Sequence, residues 1–144
     1  MADIVHEFLV SAPATEVFEL IATPEGLAQW WTRDSSGRVV EGAEYELDFG
    51  PGHVWAGVVT RCEPPNRFEL RITRAHPDWI DTRVGFALAP AEGGATRVTF
   101  HHTDWPAPNE HWRVSNYCWA MYLRIMRRHL EYGEVVPYGT RLKV

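Results

Sequence analysis

The sequence predicts an α+β domain: a curved antiparallel sheet of about seven strands wrapped round a long C-terminal helix, with two short helices after the first strand. Three observations predict it. Residues 109–133 contain no proline and meet glycine only at their last position. Between Gly37 and His102, short segments alternate apolar and polar residues and are separated by tight-turn words. Each clear segment has one apolar face, so the sheet buries one side, and the long helix is the one partner wide enough to cover it.

Taken in order, residues 4–10 read as a strand with His6, Phe8 and Val10 on one face. Residues 11–14 turn, and Pro13 suits the first position of a helix. Residues 14–22 place Val17, Phe18, Leu20 and Ile21 at helical spacing. Thr23 caps a second short helix that starts with Pro24 and ends at Trp30 and Trp31. Tyr45, Leu47 and Phe49 then alternate with Glu44, Glu46 and Asp48, carboxylates expected on the solvated face beside Arg71 or Arg83. Gly50-Pro51-Gly52 turns the chain into residues 54–62, apolar on both faces round Trp55, where a bulge near Gly57 is expected.

Pro64-Pro65-Asn66 makes the next turn, and Phe68, Leu70 and Ile72 face one way. Residues 76–79 form a loop, and Thr82, Val84, Phe86 and Leu88 form the strand after it. Glu92-Gly93-Gly94 is a hairpin turn, Val98, Phe100 and His102 complete the β run, and residues 104–108 break it. In the long helix, Asn109 caps the start and Glu110 suits the positive end of the dipole. Arg127, Arg128 and His129 suit the other end, and Gly133 stops the helix in a left-handed conformation. At ~1.5 Å per residue the stretch spans about 36 Å. Arg113, Asn116, Tyr117, Ala120, Arg124, Arg127, Arg128 and Glu131 share its polar face. Residues such as Trp112, Val114, Cys118, Trp119, Leu123 and Met126 fill an apolar arc of roughly 200°, wider than a surface helix needs. Along the middle of that arc run His111, Ser115, Tyr122 and His129, which either find protein partners or face a cavity. Residues 134–144 read as a short tail.

The 144 residues suit one domain. A net charge of −5 without a cluster of Lys and Arg argues against a nucleic-acid partner. No apolar run approaches the ~20 residues of a membrane span, and the start MADIVHEF lacks a signal pattern. Cys62 and Cys118 make no disulfide framework, so the expected compartment is the cytoplasm.

Several words along the chain carry a resemblance: Ala12-Pro13-Ala14 with Val17-Phe18, then Thr23-Pro24-Glu25-Gly26-Leu27 leading to Trp30-Trp31. Gly42 with Tyr45, Gly57 with Val59, and Glu63-Pro64-Pro65 before Arg67-Phe68 continue it. Thr96-Arg97-Val98-Thr99-Phe100 and Trp119 with Leu123 complete it. With these, the chain resembles the Bet v 1/START-like superfamily, also called SRPBCC or helix-grip, and within it the activator of Hsp90 ATPase homologue 1-like family. The resemblance implies a helix-grip fold and a small hydrophobic ligand between sheet and long helix. It also implies two alternatives: an enzyme of the cyclase or hydratase type in the same cavity, or a chaperone-interacting, stress-related module.

The chemistry legible in the residues is sparse. His101, His102, Asp104 and His111 are of metal-binding types, yet neighbours on a strand face opposite ways and the spacing matches no metal motif, so no metal is expected. Cys118 reads as an inert buried thiol. No nucleophile elbow, phosphate loop or dinucleotide fingerprint occurs, and no cofactor is expected. The aromatic residues are the better lead. Trp31, Tyr45, Phe68, Leu70, Phe86, Phe100, Trp112, Trp119 and Tyr122 are the expected ligand-contacting walls, with Ser115 and His102 as polar anchors. His102 could reach Asp104 or His111, and in the enzyme reading His102 or Tyr122 would serve as acid or base. An interaction module, or a homodimer, would instead expose an apolar patch round Trp79 or Trp105.

Overall fold

Alternation of period two becomes a single seven-stranded antiparallel sheet, because each strand can hide its apolar face only by lying beside the next. The computed structural model describes residues 2–144. Its strands are β1 (Ala2–Val10), β2 (Asp34–Ser36), β3 (Glu44–Asp48), β4 (Val54–Glu63), β5 (Arg67–Arg74), β6 (Arg83–Pro90) and β7 (Thr96–Trp105). They lie in the order β1-β7-β6-β5-β4-β3-β2. Helices α1 (Ala14–Ala22) and α2 (Pro24–Leu27) therefore carry the chain from one sheet edge to the other. Helix α3 (Glu110–Tyr132) packs on the inner face, where the Trp119 ring lies 4.5 Å from that of Phe100.

The caps are as the residue types require. Asn109 accepts the backbone N–H of Trp112 at 2.8 Å, and Gly133 closes α3 at φ 68°. Thr23 accepts the N–H of Gly26 at 2.9 Å. Pro13 has ψ 154° and stands just outside α1 rather than as its first helical residue.

Three boundaries and one helix face differ from expectation. Helix α2 is one turn and stops at Leu27; Trp31 is still held by its N–H bond to Leu27 O at 2.9 Å. Strand β2 begins at Asp34, where too few apolar residues exist to show a period. Strand β7 runs on to Trp105, because Asp104 adopts φ 71° and turns the next side chain back into the core. The apolar arc of α3 is narrower than 200°: Val114 is exposed, and burial centres on Ser115, Trp119, Leu123 and Met126.

The expected bulge is present. The β4–β5 register shifts between Ala56 and Gly57, which leaves Trp55, opposite Leu47, on the inner face. The carboxylates pair differently from expectation. Asp48 binds Arg33, Arg71 binds Asp81, and Arg83 lies beside Glu69 and Asp104. The core is dense in aromatics, and each fully buried large side chain contributes roughly 1.5–3 kcal/mol. Trp79 and Trp105, expected at the surface in the interaction reading, are buried in it.

Candidate functional site

Five aromatic side chains from five different segments form a closed circuit. The ring centroids run Trp31 to Phe49 at 5.4 Å, Phe49 to Trp55 at 5.1 Å and Trp55 to Trp79 at 5.1 Å. Trp79 to Trp119 at 5.8 Å and Trp119 to Trp31 at 5.2 Å close it. All five line one cavity of about 330 Å³. Small-molecule pockets begin at about this size, so the space can hold a compact ligand.

Each ring arrives there for a local reason. Gly26 sits where an added Cβ would meet Glu19 O at 2.0 Å, so α1 and α2 meet at a corner that only glycine permits. That corner brings Trp30 and Trp31 inward, and Trp30 Nε1 donates to Leu20 O at 2.8 Å. Phe49 follows β3 at the Gly50 turn, and the β4 bulge aims Trp55. Trp79 ends the 3-10 turn Pro77–Trp79, which is capped when His76 Nδ1 accepts the N–H of Asp78 at 3.1 Å. Asp81 then takes φ 67° and returns the chain to β6 with Thr82 buried.

Polar groups reach the same space. Ser115, Tyr122 and His111 of α3 line it, as do His53 and Tyr138. Among the described residues, no hydrogen bond engages Ser115 Oγ or the Tyr122 hydroxyl. Burial raises the Tyr122 phenol above its ordinary 10.0, so it stays protonated and can donate. Cys118 also lines the cavity, and burial raises its thiol, which keeps it neutral. The tail forms a further wall. Tyr138 donates to Phe49 O at 3.0 Å, and the nearly buried Arg141 donates to Thr32 O, Ala28 O and Val136 O at 2.8–3.1 Å.

Of the residues expected to contact a ligand, Trp31, Ser115, Trp119 and Tyr122 line this cavity. Tyr45, Phe68, Leu70, Phe86 and Phe100 pack deeper in the core instead, and Trp112, half-buried, lies against its margin. Tyr45 is committed there, since its hydroxyl donates to Ala22 O at 2.6 Å and burial raises its pKa. His102 is not on the wall and touches neither Asp104 nor His111. It lies behind the wall, bonded to Thr82 and Trp119. Burial pushes it down to about 3, so it is neutral. The expected polar line along α3 divides in the same way. His111 Nδ1 meets Asp78 Oδ2 at 3.0 Å and His129 Nδ1 meets Glu134 O at 3.0 Å, leaving Ser115 and Tyr122 free.

Sequence reasoning put Phe49 on an inward strand face and His111 on the polar line of α3 without naming either as a ligand contact, and it missed Trp55, Trp79, His53, Val114, Cys118 and Tyr138 as cavity lining. The usable signal was the Trp content itself, seven in 144 residues. His101 and His102 do face opposite ways. His101 Nε2 meets Glu69 Oε2 at 2.7 Å, away from His102. A different set gathers instead: His76, Asp78 and His111, whose donor atoms all lie within 4.8 Å of one another.

Comparison with known proteins adds the following. A family model described as "Activator of Hsp90 ATPase homolog 1-like protein" matches residues 11–131. No curated protein sequence matches the chain. Among solved structures it is similar to the Aha1 dimer from Colwellia psychrerythraea, at 28% identity and a TM-score of 0.84, covering 93% of this chain and 99% of that one. It is similar to CalU16 from Micromonospora echinospora at 24% identity and a TM-score of 0.73, covering 97% and 80%. SSP2350 from Staphylococcus saprophyticus gives 21% identity and a TM-score of 0.77, covering 94% and 96%. The last two likenesses establish the fold alone.

Proposed function

The chain belongs to the activator of Hsp90 ATPase homolog 1-like family, and from that premise we propose that it binds a small, flat, largely aromatic molecule in the cavity beside α3. One observation carries this reading. An aromatic circuit lines a half-open cavity of about 330 Å³ in which Ser115 Oγ and the Tyr122 hydroxyl have no hydrogen-bond partner among the described residues. Aromatic walls suit stacking and edge-to-face contact, while the two hydroxyls would orient a ligand that bears an oxygen or nitrogen.

Two alternatives are weaker on specific grounds. As an acid or base, His102 has both ring nitrogens engaged and a pKa near 3, which leaves Tyr122 as the remaining candidate. As a chaperone-docking surface, the large rings expected outside are buried. A homodimer is compatible with the ligand reading, since the Colwellia relative is a dimer. No described helix is long and apolar enough to cross a membrane. The cytoplasm is the compartment we assign, where the free thiols Cys62 and Cys118 stay reduced.

Titration with 2-naphthol and with anilinonaphthalene sulfonate, followed by tryptophan fluorescence, tests the reading. One equivalent should quench the emission, and Trp31→Ala should weaken binding while the fold persists. If no aromatic compound perturbs the emission or displaces the dye, the reading fails.

A further inference from the structure

The trio His76, Asp78 and His111 has no part in the aromatic circuit, and its chemistry is distinct. Two of its members stand on the turn between β5 and β6 and the third in the first turn of α3. His111 Nδ1 lies 3.0 Å and His76 Nδ1 3.8 Å from Asp78 Oδ2, and the two imidazole rings meet edge to face at 4.3 Å. We propose that these three side chains form a binding site for a divalent transition-metal ion of the zinc or cobalt class, at the mouth of the cavity.

The donor set is the first argument. Two imidazoles with one carboxylate suit zinc and its neighbours, whereas calcium and magnesium prefer oxygen alone. The second is spacing. At zinc–ligand bonds of about 2.0–2.1 Å, tetrahedral neighbours stand roughly 3.3–3.5 Å apart. The two separations bracket that value; His76 Nδ1, which now accepts the Asp78 N–H, would exchange that cap for the ion, and its half-exposed ring has room to turn.

Charge is the third argument. Asp48, Asp81, Glu7 and Glu131 each pair with an arginine. Asp78 has only His76, His111 and the Asn109 amide round it, and no described lysine or arginine pairs with it. A bound cation would supply the missing counter-charge. On binding, the neutral His111 ring would exchange its proton from Nδ1 to Nε2 through water, which frees the Nδ1 lone pair for the ion and leaves the imidazole neutral. Asn109 Nδ2, at 3.3 Å from Asp78 Oδ2, would go on orienting the carboxylate. Three protein donors leave a fourth position open. His111 and Trp79 both line the cavity, so that position lies at its mouth, within reach of water or a ligand oxygen.

The site stands independently of the ligand reading and is tested without any organic ligand. Calorimetric titration of the protein with zinc chloride should give one saturable equivalent, and cobalt(II) should give the visible absorption of a tetrahedral site. His76→Ala and His111→Ala should each weaken zinc by at least about tenfold, while His129→Ala, at the far end of α3, leaves it unchanged. Circular dichroism of each variant establishes that it folds. His76→Ala, on the exposed side of the turn, decides the matter should His111→Ala unfold. Absence of a one-equivalent isotherm in the wild type, or an isotherm untouched by His76→Ala, overturns the proposal.

Discussion

Trp119 Nε1 donates to His102 Nδ1 at 3.0 Å, and that single bond determines the state of the histidine. With Nδ1 accepting, the neutral ring carries its proton on Nε2 and donates it to Thr82 Oγ1 at 2.8 Å. Thr82 in turn donates to Trp79 O at 2.6 Å. The relay thus ties Trp119 and the Trp79 backbone, on two sides of the cavity, to one buried imidazole. His102 positions the wall rather than meeting what lies inside it.

Acid should weaken the fold through His102 before any carboxylate titrates. Its pKa is about 3 in the folded protein against an ordinary 6.5. Between these values the unfolded chain binds a proton that the native state refuses, so stability falls as pH drops below 6.5 and the loss is complete near 3. At ~1.4 kcal/mol per pH unit, the loss at pH 5 is about 2 kcal/mol. Asp48, Glu69 and Asp78 are lowered instead, so their stabilisation is intact above the ordinary carboxylate range and is lost only at lower pH. Urea midpoints at pH 7 and pH 5 measure the difference, and His102→Gln should flatten it.

Gly26→Ala should be among the most damaging single-methyl changes in the chain. The new Cβ would meet Glu19 O at 2.0 Å and Leu20 Cα at 2.6 Å, both backbone atoms that cannot step aside. Overpacking of this kind costs roughly 1–3 kcal/mol or more. Since the corner also aims Trp31, the variant should lose aromatic-ligand binding along with thermal stability. A midpoint within a degree or two of wild type would contradict the corner's assigned role.

The C-terminal tail should come loose in Arg141→Met. The guanidinium is nearly buried and is satisfied by three carbonyls rather than a carboxylate, so its removal leaves those acceptors unpaired. A loss of roughly 2–4 kcal/mol is expected. Limited proteolysis should then cut residues 134–144 first. Ligand release should quicken, because Tyr138 leaves the cavity wall with the tail.

Within the cavity, Tyr122→Phe and Ser115→Ala remove hydroxyls that bond nothing among the described residues. Each should leave stability nearly unchanged. Each should weaken a hydroxylated aromatic ligand by about fivefold, the worth of one neutral hydrogen bond of ~1 kcal/mol. The same pair should leave an unsubstituted hydrocarbon's affinity unaltered. Parallel titrations with 2-naphthol and naphthalene separate the two effects.

The sequence by itself determined the elements and their faces. Periods of two and 3.6 report which side of each segment is apolar, and caps such as Thr23, Asn109 and Gly133 act within a few residues of themselves. That was enough for a curved sheet holding a long helix, and for placing Trp31, Ser115, Trp119 and Tyr122 on its inner side. Even the Gly57 bulge was legible, because a strand apolar on both faces cannot satisfy one register along its length.

Only the tertiary structure decided which inner residues face space and which face one another. Phe49, Trp55 and Trp79 complete the circuit because a turn, a bulge and a 3-10 segment bring distant parts of the chain together, and no local period encodes such a meeting. Tyr45 and His102 left the expected site for the same reason: Ala22 O, Thr82 and Trp119 reached them first. Arg141 was invisible because its partners are backbone carbonyls, which every residue carries and no side chain announces. The periodicity of the chain decides what is buried. Contacts across about a hundred residues decide what is left unsatisfied there: among the described residues, the hydroxyls of Ser115 and Tyr122 in the aromatic cavity and the buried ring nitrogens of Trp79, Trp105, Trp112 and His6.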